Sequence, residues 1–269
     1  MAEPSCAAAL QARDVSISYG RSKVIGGVDL AIRDRAFTAL LGPNGSGKST
    51  LLRAFAGMQR LAGGSIELDG RPIARQPVRD VARRIAVLPQ GPSTPEGLTV
   101  RGLVEQGRYP HRSLFGRWGD ADSRAVALAL DLTGLNDLAE RPLETLSGGQ
   151  RQRAWIAMTL AQDSGILLLD EPTTFLDLAH QIELLDLVSI LVRERGRTVV
   201  AVLHDLNQAA RYADWIVLLK DGRIAAEGPP AEVLTQAAIL QVFDVPCRII
   251  PDPVSNTPLC IPLTRAERD

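Results

Sequence analysis

The stretch FTALLGPNGSGKST, Phe37 to Thr50, decides the fold. FTALL reads as a buried strand that stops at Gly42. GPNGSGKST, Gly42 to Thr50, fits the pattern G-x-x-x-x-G-K-[ST], and the run TLLRAFAGM reads as a helix. Strand, glycine loop and helix start in that order form an anion cradle. Glycines let the backbone wrap so that N–H groups point inward, and the helix adds partial positive charge at its start. The loop predicts binding of a nucleotide through Gly42, Pro43, Asn44, Gly45, Ser46, Gly47, Lys48, Ser49 and Thr50. Lys48 is expected to reach the β- and γ-phosphates, and the Ser49 hydroxyl to bind Mg²⁺.

Such a loop needs an acid on a neighbouring strand to hold the metal. ILLLDEP supplies it: Asp170 ends an apolar strand and is expected to hold Mg²⁺ directly or through water. Glu171, one residue on, is placed to polarise the attacking water. His204 closes the next apolar run, TVVAVLHD, and so is expected beside Asp170 and Glu171 as a γ-phosphate contact. Ligands collect at the carboxyl ends of strands in open α/β sheets. His111 and His180 have no such setting and are read as structural.

The rest of the chain alternates strands with helices, which indicates an α/β architecture. Ile166–Asp170 and Thr198–Asp205 read as strands of a parallel sheet covered on both faces. VSISY (Val15 to Tyr19), SIELDG and RRIAVLPQ add further strands. WIVLLKDGRIAAEG predicts a hairpin about Asp221-Gly222. DLAHQIELLDLVSILVRERG predicts a helix ended by Gly196, with Leu178, Ile182, Leu185, Val188 or Ser189, and Val192 near one face. From about Leu98 to Leu143 no strand is evident, and the segment reads as a helical lobe. The proline-rich tail after Phe243 predicts an extended appendage packed on the main body.

Bulk properties agree with a soluble globular chain. It has 269 residues, 45% hydrophobic and 23% charged, with a net charge of −1. That balance argues against nucleic-acid binding, which needs a strongly basic face. Cys6, Cys247 and Cys260 have no metal-like spacing and are expected to be reduced structural thiols. The N-terminus lacks the basic start and apolar core of a signal peptide, and no apolar run approaches ~18 residues. A cytoplasmic location is expected, with membrane attachment only through a partner.

LSGGQRQR, Leu146 to Arg153, raises a further question. Serine and two glycines before a helical run have the grammar of a second anion site, yet no lysine is present. A serine N-cap with two turn glycines is the plainer alternative. The ordered set GPNGSGKST, LPQ, LSGGQ, ILLLDEP, TTFLD and LHD resembles the nucleotide-binding subunit of ATP-binding cassette (ABC) transporters over nearly the whole chain. The resemblance implies a P-loop NTPase-like fold with a mainly parallel central sheet, an antiparallel β subdomain and a helical subdomain. It implies one ATP-binding domain over 1–269, with the helical subdomain at about 98–162 and a C-terminal extension at about 244–269.

The resemblance also implies roles. Tyr19 stacks on adenine, though a sheet-surface tyrosine is a real competitor. Gln90 touches Mg²⁺ and water and links the site to the membrane subunits. Ser147, Gly148 and Gly149 of one copy meet the γ-phosphate held by a second copy, with Gln150 near the ribose. Asp177 crosses between copies; Thr174-Phe175-Leu176-Asp177 stands where many members have Ser-x-Leu-Asp. GRYPHR (Gly107 to Arg112), VLHDLNQAARYAD and DPVSNTPLCIPL are similar to ATPases of bacterial iron–chelate importers, above all for ferric siderophores. The implied partners are a second copy, two permease subunits and, indirectly, a periplasmic or lipoprotein binding protein, at the cytoplasmic face of the inner membrane. Judged by composition, Arg108, Arg112 and Arg117 are an ordinary solvated face. Haem or cobalamin import is the alternative cargo; an exporter or a soluble non-transport ATPase ranks lower.

Overall fold

The three strands read as buried lie side by side inside a six-stranded sheet. The computed structural model describes residues 9–91, 96–112, 117–174 and 176–264. Cys6 and Phe175 lie outside the described residues. In chain order the first elements are β1 (Leu10–Tyr19), β2 (Ser22–Ile32), β3 (Phe37–Leu41), α1 (Lys48–Phe55), β4 (Gly63–Leu68), β5 (Arg71–Pro72), α2 (Val78–Arg84) and β6 (Ile85–Leu88). The helices α3 (Val100–Gln106), α4 (Asp120–Leu132) and α5 (Gly148–Ala161) follow. Then come β7 (Ile166–Asp170), α6 (Leu178–Arg193), β8 (Thr198–Val202), α7 (Leu206–Tyr212), β9 (Trp215–Lys220) and β10 (Arg223–Gly228). The chain ends in α8 (Pro230–Val233), α9 (Gln236–Phe243), β11 (Cys247–Pro251) and β12 (Pro258–Pro262).

The central sheet runs β10-β9-β3-β8-β7-β6, parallel throughout except for the β10–β9 hairpin. A separate antiparallel sheet runs β2-β1-β4-β5. Alternation along the central strands divides the core. Phe37, Ala39, Leu41, Leu167, Leu169, Val199 and Ala201 pack on one face with α6, α7 and α9. Leu40, Ile166, Leu168, Val200 and Val202 pack on the other with α1 and the antiparallel sheet. Burial on both faces is why these strands read as unbroken apolar runs. The β9–β10 turn places Asp221 at φ 50° and Gly222 at φ 72°, as a two-residue hairpin turn needs.

A third apolar cluster joins Val100, Leu103 and Val104 to Val126, Ala129 and Leu130 and to Ala154, Ala157 and Ala161. These residues come from α3, α4 and α5. Arg108 departs from the solvated-face reading. It is 5% exposed, and its Nε donates to Asp122 at 2.9 Å while Nη1 donates to the Ala161 carbonyl at 2.8 Å. Arg112 and Arg117 are exposed.

Two further expectations need correction. On α6 the core face is Leu184, Leu185, Leu187, Val188, Leu191 and Val192, whereas Leu178 and Ile182 are exposed. Both lie in the first turns of α6, where the helical period alone does not tell a packed turn from an exposed one. The tail is not a bare extended appendage: β11 and β12 pair as an antiparallel hairpin. Pro251 opposite Pro258, and Pro262 opposite Cys247, occupy its terminal rungs, where a missing N–H spares the ladder. Cys247 and Cys260 are buried against the core, and the Asn207 side chain pairs with the backbone of Cys260, accepting at 2.7 Å and donating at 3.2 Å.

Candidate nucleotide-binding site

The loop after β3 is shaped by close backbone approach. A Cβ on Gly42 would stand 2.1 Å from the Leu219 carbonyl oxygen, and one on Gly47, at φ 99°, would stand 2.5 Å from Ile25 Cδ1. Ser46 N–H donates to the Pro43 carbonyl at 3.2 Å, and Gly222 N–H donates to the Ser46 carbonyl at 3.2 Å, which braces the loop on the β9–β10 turn. No side chain caps α1 and no acid stands in its first turn. Its leading N–H groups are left for an anion. The Ser46 hydroxyl is buried without a hydrogen-bond partner among the described residues.

Lys48 Nζ donates to the carbonyls of Gly42 at 2.8 Å and Pro43 at 2.9 Å. Burial lowers its pKa; the charges of Glu171 and then Asp170 oppose that shift. Asp170 is 1% exposed. Its Oδ1 accepts from Ser49 Oγ at 2.7 Å. Its Oδ2 is buried with no hydrogen-bond donor among the described residues, and Arg53 Nη2 stands 3.7 Å away. Burial raises the pKa of Asp170, opposed by the Ser49 hydrogen bond and then by Arg53. A buried carboxylate oxygen without a donor, beside a serine hydroxyl, fits a hard cation such as Mg²⁺. Among the described residues no cluster of three or more His, Cys, Asp or Glu forms an all-protein metal cage. An ion shared with phosphate oxygens and water suits this set.

Glu171 has φ 53°, in the left-handed region. Its Oε1 lies 3.0 Å from His204 Nε2, and its Oε2 accepts from Thr174 Oγ1 at 3.2 Å. His204 falls two residues beyond β8 rather than on it, yet reaches the expected neighbour because β7 and β8 are adjacent and parallel.

These groups surround one cleft of about 640 Å³, lined by Asn44, Gly45, Gly47, Lys48, Ser49 and Thr50 of the loop together with Tyr19, Gln90, Glu171 and His204. Tyr19 is half exposed, and its hydroxyl donates to Gln59 Oε1 at 2.7 Å.

Ser147, Gly148, Gly149, Gln150 and Asp177 do not line this cleft. Ser147 caps α5: its Oγ accepts from Gln150 N–H at 3.2 Å, and Gln150 Oε1 accepts from Ser147 N–H at 3.0 Å. Gln150 is thus engaged at its own helix start. Asp177 caps α6, accepting from His180 N–H at 3.0 Å, with His180 Nδ1 2.7 Å from the same oxygen.

Three residues were missed by sequence reasoning. Val24 lines the cleft from β2, and no sequence signal marks it. Arg53 stands one helical turn after Ser49, a spacing that brings both to one face of α1 and was open to inference. Thr174 was noted only as part of a motif.

The family model described as "ABC transporter" matches residues 25–174, more than half of the chain. The achromobactin transport ATP-binding protein of Dickeya dadantii is 50% identical over 96% of this chain and 96% of its own. The ferric enterobactin transport ATP-binding protein of Escherichia coli is 50% identical over 96% of this chain and 95% of its own. Among solved structures, an inward-facing metal-chelate-type ABC transporter superposes with a TM-score of 0.82 at 31% identity, covering 96% of this chain and 98% of that one. A dimeric bacterial ABC transporter cassette gives 0.74 at 29% identity, covering 82% and 98%.

Proposed function

Because the chain belongs to the ABC transporter family of ATPases, we propose that it hydrolyses ATP to drive import of an iron chelate, a ferric siderophore, through two permease subunits. The observation that carries the catalytic reading is the Glu171 carboxylate, held between His204 and Thr174 at the mouth of the phosphate loop. The cargo class rests on the two siderophore-transport relatives, each half identical over nearly the whole chain.

In this reading Tyr19 stacks on adenine, and the loop amides with Lys48 hold the phosphates. Ser49, Asp170 and Gln90 would hold Mg²⁺, which when bound neutralises charge on the β- and γ-phosphate oxygens. Glu171 orients a water for in-line attack on the γ-phosphorus. His204, already beside Glu171, steadies the γ-phosphate. Rate enhancement then comes from positioning and electrostatics.

Ser147, Gly148 and Gly149 do not line the cleft of their own chain. In this reading those residues of a second, head-to-tail copy cover the γ-phosphate, with a helix start that grips an anion without a side-chain cation. Gln150 reaches the ribose only by leaving its cap, and Asp177 crosses at the same interface. A permease segment docks in the groove of about 350 Å³ lined by Met58, Val78, Val81, Ile85 and Tyr109. Met58, Val78 and Tyr109 are large and exposed there, as an apolar contact requires. Gln90 carries the nucleotide state toward that groove. Among the described residues no helix is long and apolar enough to cross a membrane. In this reading the chain sits at the cytoplasmic face, held there by its permease. A periplasmic or lipoprotein receptor delivers the chelate.

Uptake of radio-iron siderophores in a strain lacking this gene tests the proposal. Uptake should be lost, restored by the wild-type chain and not restored by Glu171→Gln. Normal uptake of every siderophore with loss of haem uptake would overturn the cargo.

A further inference from the structure

A second cavity, of about 320 Å³, opens at the amino ends of β7 and β8, opposite the strand ends that carry the nucleotide cleft. Its walls come from the helical lobe and from the body of the molecule. Leu128 and Leu132 of α4, Leu160 of α5 and Leu191 of α6 form an apolar floor. Arg124 on α4 and Arg195 after α6 stand at its rim, both exposed. Neither arginine has a hydrogen bond, ion pair or ring contact among the described residues. A third arginine, Arg197, is already committed: it donates to Asp163 and to the Ser164 carbonyl. The lining therefore offers two unpaired guanidinium groups, one from the helical lobe and one from the body, beside an aliphatic floor.

We propose that this cavity binds a small amphiphilic anion, a medium-chain acyl carboxylate, with its tail on the leucine floor and its head between Arg124 and Arg195. A guanidinium fork matches a carboxylate in geometry as well as charge. An apolar lining with a few placed polar groups is the usual build of a small-molecule site, and the volume suits a single short chain. Such a ligand touches α4 and α6 at once and so fastens the helical lobe to the body. The inference is independent of the ATPase reading.

Isothermal titration of the full-length chain with decanoate, below its micelle concentration, tests it. One saturable site is expected. The double variant Arg124→Gln/Arg195→Gln should weaken it roughly tenfold or more, and Ala125→Phe, which fills the cavity from α4, should abolish it. Both variants should keep wild-type Tm and ATP affinity, since they alter exposed or half-buried positions away from the cleft. Equal binding of decyltrimethylammonium, unchanged affinity in the double variant, no saturable heat, or binding to anionic lipid vesicles without binding of decanoate would each overturn the proposal.

Discussion

A glutamate at φ 53° carries backbone strain of about 1–3 kcal/mol, which persists only where its surroundings hold it. At Glu171 those surroundings are the end of β7 and the contacts to His204 and Thr174. The strain aims a carboxylate into the cleft beside Lys48. Glu171→Gln keeps the shape and removes the base. Turnover should fall by about 100-fold or more, while the affinity for a fluorescent ATP analogue stays within twofold. Unchanged phosphate release would remove Glu171 from the mechanism. Lys48→Ala should instead weaken nucleotide binding itself, because the ammonium held over the loop is lost. Cys260 lies at the other extreme of reactivity. Burial, and then the Cys247 thiol beside it, pushes its pKa up to about 12. Since only the thiolate reacts, Cys260 should stay unmodified by a disulfide reagent at pH 8 until the chain is unfolded, read by peptide mapping.

Among the elements, the helical lobe is tied together by an ion pair between a buried arginine and a half-buried aspartate. Arg108 ties the start of α4, through Asp122, to the end of α5, through Ala161. Arg108→Met leaves Asp122 without its counter-charge and the Ala161 carbonyl without its donor, and should cost about 1–3 kcal/mol, measured by denaturant unfolding. The same pair gives a pH signature. The Arg108 hydrogen bond holds the Asp122 carboxyl below its usual value of 3.8. Its folded pKa is thus depressed, so its stabilisation is complete above the unfolded value and is lost as pH falls through the folded one. The stability advantage of wild type over Asp122→Asn should shrink between pH 5 and pH 2. This pair was hidden from sequence reasoning because its partners are brought together only by packing of α4 on α5. The parallel strands were legible because burial on both faces leaves no polar alternation. The tail hairpin was not, since prolines at its outer rungs look like an irregular segment. In the site, residues contiguous along the chain from Gly42 to Thr50, and at Asp170–Glu171, were readable. Val24 and the docking of Thr174 on Glu171 arise from tertiary contacts that no spacing encodes.

For the whole molecule, Ser147, Gly148 and Gly149 lie outside the cleft of their own chain, so in the proposed scheme the working unit is a pair. Ser147 has two duties in that scheme: within its own chain it caps α5, and across the interface it meets the other copy's phosphate. Separating them decides whether the pair is real. Ser147→Ala removes the cap and the hydroxyl alike, at about 1 kcal/mol of helix stability. Ser147→Arg removes the same cap and adds bulk and charge where the second copy must close. Both variants should bind ATP as monomers with wild-type affinity, because Ser147 does not line the cleft of its own chain. In a Glu171→Gln background, ATP should drive the parent chain into a dimer seen by light scattering. The added Ser147→Arg should hold it monomeric, and the added Ser147→Ala should weaken the dimer without abolishing it. Turnover of the otherwise wild-type chain should rise more steeply than linearly with its concentration, since two copies build each site. A chain kept monomeric that still hydrolysed ATP at the full rate would show that one cleft suffices.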